Sequence, residues 1–349
     1  MKTVLGHMKA ILAVSPLFVA VLLSACGSGG GSNAPTAANV YVAGYGFTGT
    51  GSGGTIWKSG VASNIGNASE ANAIFVVGND VYVAGREFNG SKFTMKVWKN
   101  GVASSITSGL NYALLNSIFV SGSDVYVAGY EDSGTPATGT INVAKVWKNG
   151  VATSLTSGAI DAGASAVVVS GTDVYAVGTV KSGTASYVAV LWKNGVATSL
   201  TDGTKDASAT SVVVSGTDVY VAGSEGNGSA DVAKVWKNGV ATSLSNGTFN
   251  AVANSIFVLG TDVYAAGTEH IGTTNVARFW KNGVATSLSN GTVDARAFSI
   301  FVMGSDVYVA GRENSGNITA AKLWKNGVAT SLSTSALSSG ALSVFVTPQ

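Results

Sequence analysis

The chain has 349 residues, of which 46% are hydrophobic and 11% charged, with 20 basic against 18 acidic side chains. So even a balance excludes the basic footprint of a nucleic-acid binder. The single cysteine excludes a disulfide framework or a thiolate metal centre within the chain.

At the N-terminus Lys2, His7 and Lys9 precede an apolar run from Ala10 to Leu23, which ends in Leu23-Ser24-Ala25-Cys26. A basic start, a short apolar stretch and small residues at a cleavage point predict a secretory signal over 1–26. The run is shorter than the ~20 residues a membrane span needs. Met8 serves equally well as a start, because Lys9 and the whole apolar run follow it. The quartet "LSAC" resembles the lipobox of bacterial lipoproteins. That resemblance implies cleavage before Cys26, lipidation of Cys26 and an envelope location; Gly27 in the next position favours the outer membrane. An ordinary signal peptide that happens to contain a cysteine is the alternative. Residues 27–38, "GSGGGSNAPTAA", read as a flexible tether. Without Lys2 and Lys9 the basic and acidic residues balance at 18 each.

Residues 39–349 repeat. Tryptophans fall at Trp57, Trp98, Trp147, Trp192, Trp236, Trp280 and Trp324, the last four spaced by 44 residues and the others by 41 to 49. Each repeat carries four apolar runs of strand length, A to D. In the sixth they are Ser255–Val258, Val263–Gly267, Ala277–Trp280 and Val284–Leu288. Gly-x-Asp links A to B, and Asn-Gly links C to D, where positive φ at both central residues makes a type I′ hairpin. Four antiparallel strands at this period predict an all-β, seven-bladed β-propeller of four-stranded antiparallel blades. The A and B strands, with "DVYVAG", resemble the inner strands of NHL-type propeller repeats. The first repeat opens at strand B, Asn39–Gly44, and a lone strand A, Ser343–Val346, comes last. The C-terminal strand therefore completes the N-terminal blade and closes the ring.

The repeated residues read as structure. A buried Trp removes ~150–250 Å² from water, so one per blade supplies an inter-blade core. Glu87, Glu131, Glu225, Glu269 and Glu313 follow the strand-B glycine by two residues. The same five repeats, and only those, carry Lys96, Lys145, Lys234, Arg278 and Lys322 two residues before the Trp. Acid and base change together, which predicts B–C ion pairs, direct or diagonal. The hairpin aspartates, such as Asp262, are expected to accept turn N–H bonds, and the lysines after Trp, such as Lys281, to be solvated flanks.

Function is expected where repetition stops. The A–B and C–D turns share one face of a propeller and barely vary here, whereas the B–C and D–A loops of the other face do. The candidate binding residues lie on that variable face. They are Asn72, Asn116, Thr210, Asn254 and Phe298 just before strand A; Tyr112, Asp161 and Asp206 ahead of them, with Asn250 and Asp294 in the same place; and Arg296 and His270. His270 is the one histidine beyond the signal, so no histidine-rich metal site and no cofactor site is predicted. The leading reading is an envelope lipoprotein whose monomeric propeller is a rigid scaffold for a protein or carbohydrate partner, with no nucleic acid involved. By analogy of fold alone, propeller lipoproteins serve as assembly scaffolds at the outer membrane. The alternatives are a hydrolase or lyase using loop carboxylates such as Asp161, Asp206, Asp294 or Glu70, and a multivalent lectin.

Overall fold

The Asn-Gly dipeptides take up the backbone region that their composition permits. Asn282 has φ 51° and Gly283 φ 82°, and the same pair of positive angles recurs in every other C–D turn, with Ser59 and Gly60 in the first. These turns punctuate a computed structural model that describes residues 38–47, 52–66, 68–133, 141–183, 186–333 and 338–349. The signal, Cys26 and all of the tether but Ala38 lie outside the described residues.

Seven four-stranded antiparallel sheets follow one another, each ordered A-B-C-D. Numbering blades by their Trp, blade 6 consists of strands A (Ala251–Leu259), B (Asp262–Ile271), C (Thr274–Lys281) and D (Val284–Ser287). Blade 1 takes its strand A, Gly340–Pro348, from the C-terminal end. It pairs with strand B, Ala38–Phe47, placing Val344 opposite Val42, and so closes the ring. The D strands are exposed along their whole length and form the rim. The A strands touch those of both neighbouring blades and surround the axis. There Phe257, Phe301, Phe345, Phe75 and Phe119 form an arc across five consecutive blades, with ring centroids 5.0 to 5.3 Å apart. All seven tryptophans are buried, none above 2% exposed.

Strands A and B run further than the hydrophobic pattern suggests. In blade 6 strand A starts at Ala251 rather than Ser255, because a bulge at Asn254 shifts the register between Ala253 and Ser255. A bulge puts two residues against one and breaks the two-residue alternation that marks a strand. The bulge also explains the strand-B glycine. A Cβ on Gly267 would lie 1.9 Å from the Val252 carbonyl oxygen, and equivalent backbone collisions arise at Gly129, Gly178 and Gly223. Strand B continues past this glycine, so the B–C connection of blade 6 shrinks from a loop to the turn at Gly272 and Thr273.

The ion pairs expected between strands B and C form in all five blades. Glu131 meets Lys145 at 2.6 Å, Glu225 meets Lys234 at 3.0 Å, Glu269 meets Arg278 at 2.6 Å and Glu313 meets Lys322 at 2.9 Å; Glu87 pairs with Lys96. They are diagonal, since Glu269 stands opposite Val276 and Arg278 opposite Gly267.

On the uniform face the lysines after Trp are more than solvated flanks. Lys281 Nζ lies 2.7 Å from Asp262 Oδ2 and 5.2 Å from the Tyr264 ring centroid. Asn282 Nδ2 donates to Asp262 Oδ1, and Asn282 Oδ1 accepts the Val263 N–H, both at 2.8 Å. Asp262 thus receives the side chains of the C–D turn rather than an N–H of its own turn, and the two hairpins of the blade are tied together. The Lys281 hydrogen bond, with that of Asn282, holds the Asp262 carboxyl below the usual carboxylate range. Blades 2 to 5 and 7 repeat the Lys–Asp pair. Among the described residues Lys58 of blade 1 retains the tyrosine without an aspartate, its Nζ 5.3 Å from the Tyr41 ring centroid.

Candidate functional site

The bulges place the former pre-strand residues inside strand A, where they serve neighbouring blades. Asn72 Nδ2 donates to the Leu115 carbonyl (2.8 Å), Asn116 Nδ2 to Ala164 (2.9 Å), Thr210 Oγ1 to Ala253 (2.6 Å) and Asn254 Nδ2 to Ala297 (2.7 Å). Each acceptor immediately precedes the bulged residue of the next blade, so four of the candidate binding residues link blades together. Phe298, the fifth, is buried at 7% exposure.

The D–A residues link blades as well. Asp161 Oδ1 accepts the Asn142 N–H (3.0 Å), Asp206 Oδ1 the Tyr187 N–H (2.9 Å) and Asn250 Oδ1 the Asp231 N–H (2.8 Å). In each case the donor is the first or second residue of strand C of the preceding blade. These carboxylates satisfy backbone donors rather than facing each other across the mouth. Asp161 Oδ2 also accepts the Tyr187 hydroxyl at 3.0 Å. Burial, reinforced by that bond, pushes the Tyr187 phenol up to about 12 and keeps it a donor at neutral pH. Tyr112 is exposed and lies 6.2 Å from Tyr130, ring centroid to centroid. His270 stands in the B–C ribbon opposite Asn275, its Nδ1 3.3 Å from Asn275 Oδ1, and not in a free loop.

What surrounds the mouth is a set of cross-strand pairs one step beyond the bulge, each joining strand A to the residue after the strand-B glycine. In blades 1 to 7 they are Gly340 with Tyr45, Glu70 with Arg86, Leu114 with Tyr130, Gly163 with Thr179, Ser208 with Ser224, Val252 with Thr268, and Arg296 with Arg312. Among the candidate binding residues of the sequence reading, Arg296 alone belongs to this set. The signal that would have revealed the others is the residue after the strand-B glycine: it changes from blade to blade inside an otherwise repeated segment.

The mouth is lopsided. Blades 7, 1, 2 and 3 present arginine and tyrosine, whereas blades 4, 5 and 6 present small or short side chains. On the small side a recess of about 70 Å³ opens, lined by Asn116, Tyr130, Gly163, Ser165, Thr179, Ser208 and Thr210. Tyr130 overhangs blade 4, its ring 3.4 Å from where a Cβ on Gly163 would stand. Burial, and then the nearby Tyr112, pushes the Tyr130 phenol up, so it too remains a hydroxyl donor. On the bulky side Arg86 Nη2 binds Glu70 Oε2 at 2.9 Å and stacks 4.4 Å from the Phe93 ring centroid. Burial raises the Glu70 carboxyl against the opposing pull of Arg86. Among the described residues no three His, Cys, Asp or Glu side chains converge to hold a metal.

This fold and mouth define the class, a closed seven-bladed β-propeller with one uniform and one variable face. The chain is similar in fold to a puromycin-hydrolyzing peptidase of Mycobacterium tuberculosis, with TM-score 0.54 and 9% identity over 80% of this chain and 49% of that one. It is also similar to the acylaminoacyl peptidase of Pyrococcus horikoshii, with TM-score 0.50 and 12% identity over 85% and 50% of the two chains. The chain thus spans about half the length of either peptidase, and at such identity the likeness is one of fold alone. No protein-family model and no curated protein matches the sequence.

Proposed function

We propose that this protein is a lipid-anchored scaffold of the bacterial cell envelope, held by Cys26, most simply in the outer membrane, and that its propeller binds a protein or glycan through the variable face. The signal and the lipobox-like "LSAC" support the anchor. The observation that carries the binding reading is the lopsided mouth: blades whose A–B and C–D turns barely vary carry seven different side-chain pairs there. A binding role also fits the loop acids better than catalysis does, since Asp161 and Asp206 are occupied by backbone donors.

Two measurements test this reading. Labelling cells with an alkynyl fatty acid should mark the wild-type chain and leave Cys26→Ala unmarked. A photo-crosslinking residue at exposed Tyr112 should capture a partner in intact cells that the same residue at Asn282, on the uniform face, does not. Recovery of one and the same partner from both positions would overturn the choice of face.

A further inference from the structure

Blade 2 supplies an internal control for blade 7. At the same cross-strand position blade 2 sets an acid against a base, Glu70 and Arg86, while blade 7 sets Arg296 against Arg312. Like charges directly opposite destabilise a strand pair, so the blade 7 arrangement is a cost to the fold. The described surroundings offset it only in part. Arg312 Nη1 donates to the neutral Tyr45 hydroxyl at 3.2 Å, and its guanidinium lies 5.6 Å from the Phe298 ring centroid. Arg296 Nε stays 3.6 Å from Asp294 Oδ1, beyond hydrogen-bond length, and Asp294 Oδ2 already accepts Asn275 Nδ2. Among the described residues the buried Nε atoms of both arginines lack a hydrogen-bond partner, as does that of Arg86 in blade 2, so the two blades differ in the charge of the facing residue and not in this. Arg296 has Asp294 beside it, whereas the contacts of Arg312 are a hydroxyl and an aromatic ring, which leaves one positive charge in excess at this position.

Resting on the binding reading above, we propose that Arg296 and Arg312 form a carboxylate-binding site for an acidic sugar, a uronate residue of a glycan. Guanidinium forks match a carboxylate in shape and charge, with two parallel N–H donors meeting two oxygens. The incoming carboxylate fills the role that Glu70 plays in blade 2. The remainder of the ligand is assigned by the recess on the other side of the mouth. There the Asn116 amide and the Thr210 hydroxyl are engaged with neighbouring blades, and the hydroxyls of Tyr130, Ser165 and Thr179 beside a mainly apolar surface match the mixed hydroxyl and C–H faces of a sugar ring.

The test is calorimetric titration of the full-length chain in detergent micelles at low salt with trigalacturonate, its fully methyl-esterified form and a triglutamate peptide. The wild type should bind trigalacturonate, and the ester at least ~10-fold more weakly, as loss of a charge-assisted hydrogen bond implies. Arg312→Gln and Arg296→Glu, the latter recreating the blade 2 pair, should each weaken binding by about 10- to 100-fold. Arg296→Glu should also melt at a higher temperature than the wild type, which separates lost recognition from lost fold. Lys148→Gln, removing a cation from the uniform face, should bind as the wild type does. The inference falls if millimolar trigalacturonate gives no binding, if the ester binds equally well, if Lys148→Gln weakens binding as much as Arg312→Gln, or if triglutamate matches the sugar. A partner captured at Tyr112 together with indifference to trigalacturonate would sink this inference alone. Identical crosslinks from both faces would sink the reading beneath it.

Discussion

The two faces of the ring are made by the same strands and treat charge in opposite ways. On the uniform face every aspartate from Asp80 to Asp306 meets its own lysine, and hydrogen bonding holds its carboxyl below the usual range. On the variable face Glu70 is raised by burial and Arg296 confronts Arg312. The uniform face is closed within each blade, whereas the mouth retains groups whose charge the fold does not fully neutralise. Electrostatic completion therefore tracks repetition, and its failure marks the residues to examine for recognition.

The largest effect should come from the element both faces share. Removing residues 340–349 takes strand A from blade 1, and the ring should lose cooperative unfolding altogether, read as a broad or absent calorimetric transition. Next, Trp147→Ala should lower stability by about 3–5 kcal/mol in denaturant melts, without regard to face. Asn282→Ala acts on the uniform face alone. It removes two side-chain hydrogen bonds and places alanine at φ 51°, which should cost about 1–2 kcal/mol, whereas Asn282→Gly keeps the turn and should cost less. Glu131→Gln, loosening one largely buried pair whose Lys145 donor the amide oxygen can still accept, should cost about 1 kcal/mol. A cost equal to that of Trp147→Ala would reverse the assignment of core and register.

The smallest effect is acid sensitivity, and its sign differs between the faces. A carboxyl whose folded value is depressed contributes stability above its unfolded value, near ~3.9, and that contribution is lost as pH falls through the folded value. Asp262 and its five equivalents belong to this class, so melting temperature should fall as pH drops below about 4. Glu70 works the other way. Its raised value means that protonation favours the folded state, so its own contribution should grow as pH falls through the folded value and offset part of the loss from the aspartates.

Much of this was legible in the sequence because it repeats. The blade count, the I′ turns and the joint replacement of Glu269 and Arg278 by other residues in two blades required only comparison of the chain with itself. The Lys281–Asp262–Tyr264 cluster escaped because it rests on the B–C register, in which Lys281 stands opposite Tyr264, and ion pairs that are either direct or diagonal leave that register open. The bulge escaped for a different reason. Asn254 interrupts the alternation, so the hydrophobic pattern loses phase and ends strand A four residues short. The lost phase moves Asn72, Asn116, Thr210 and Asn254 from their place within the strand to the rim, and it hides the pair ring immediately beyond. Gly267 carried the missing information, since a glycine repeated in every strand B calls for a backbone neighbour too close for a Cβ.

Blade 1 gives the molecule a direction in time. Chains emerge N-terminus first, so blades 2 to 7 can acquire all four strands in succession as synthesis proceeds. Blade 1 cannot, because Val42 waits for Val344. Until residues 340–348 arrive, the inner edge of Ala38–Phe47 stands open, an unpaired strand able to recruit another chain. The longest-range pairing in the structure is thus also the last that the order of the chain permits. A chain that ends before Gly340 keeps that edge open.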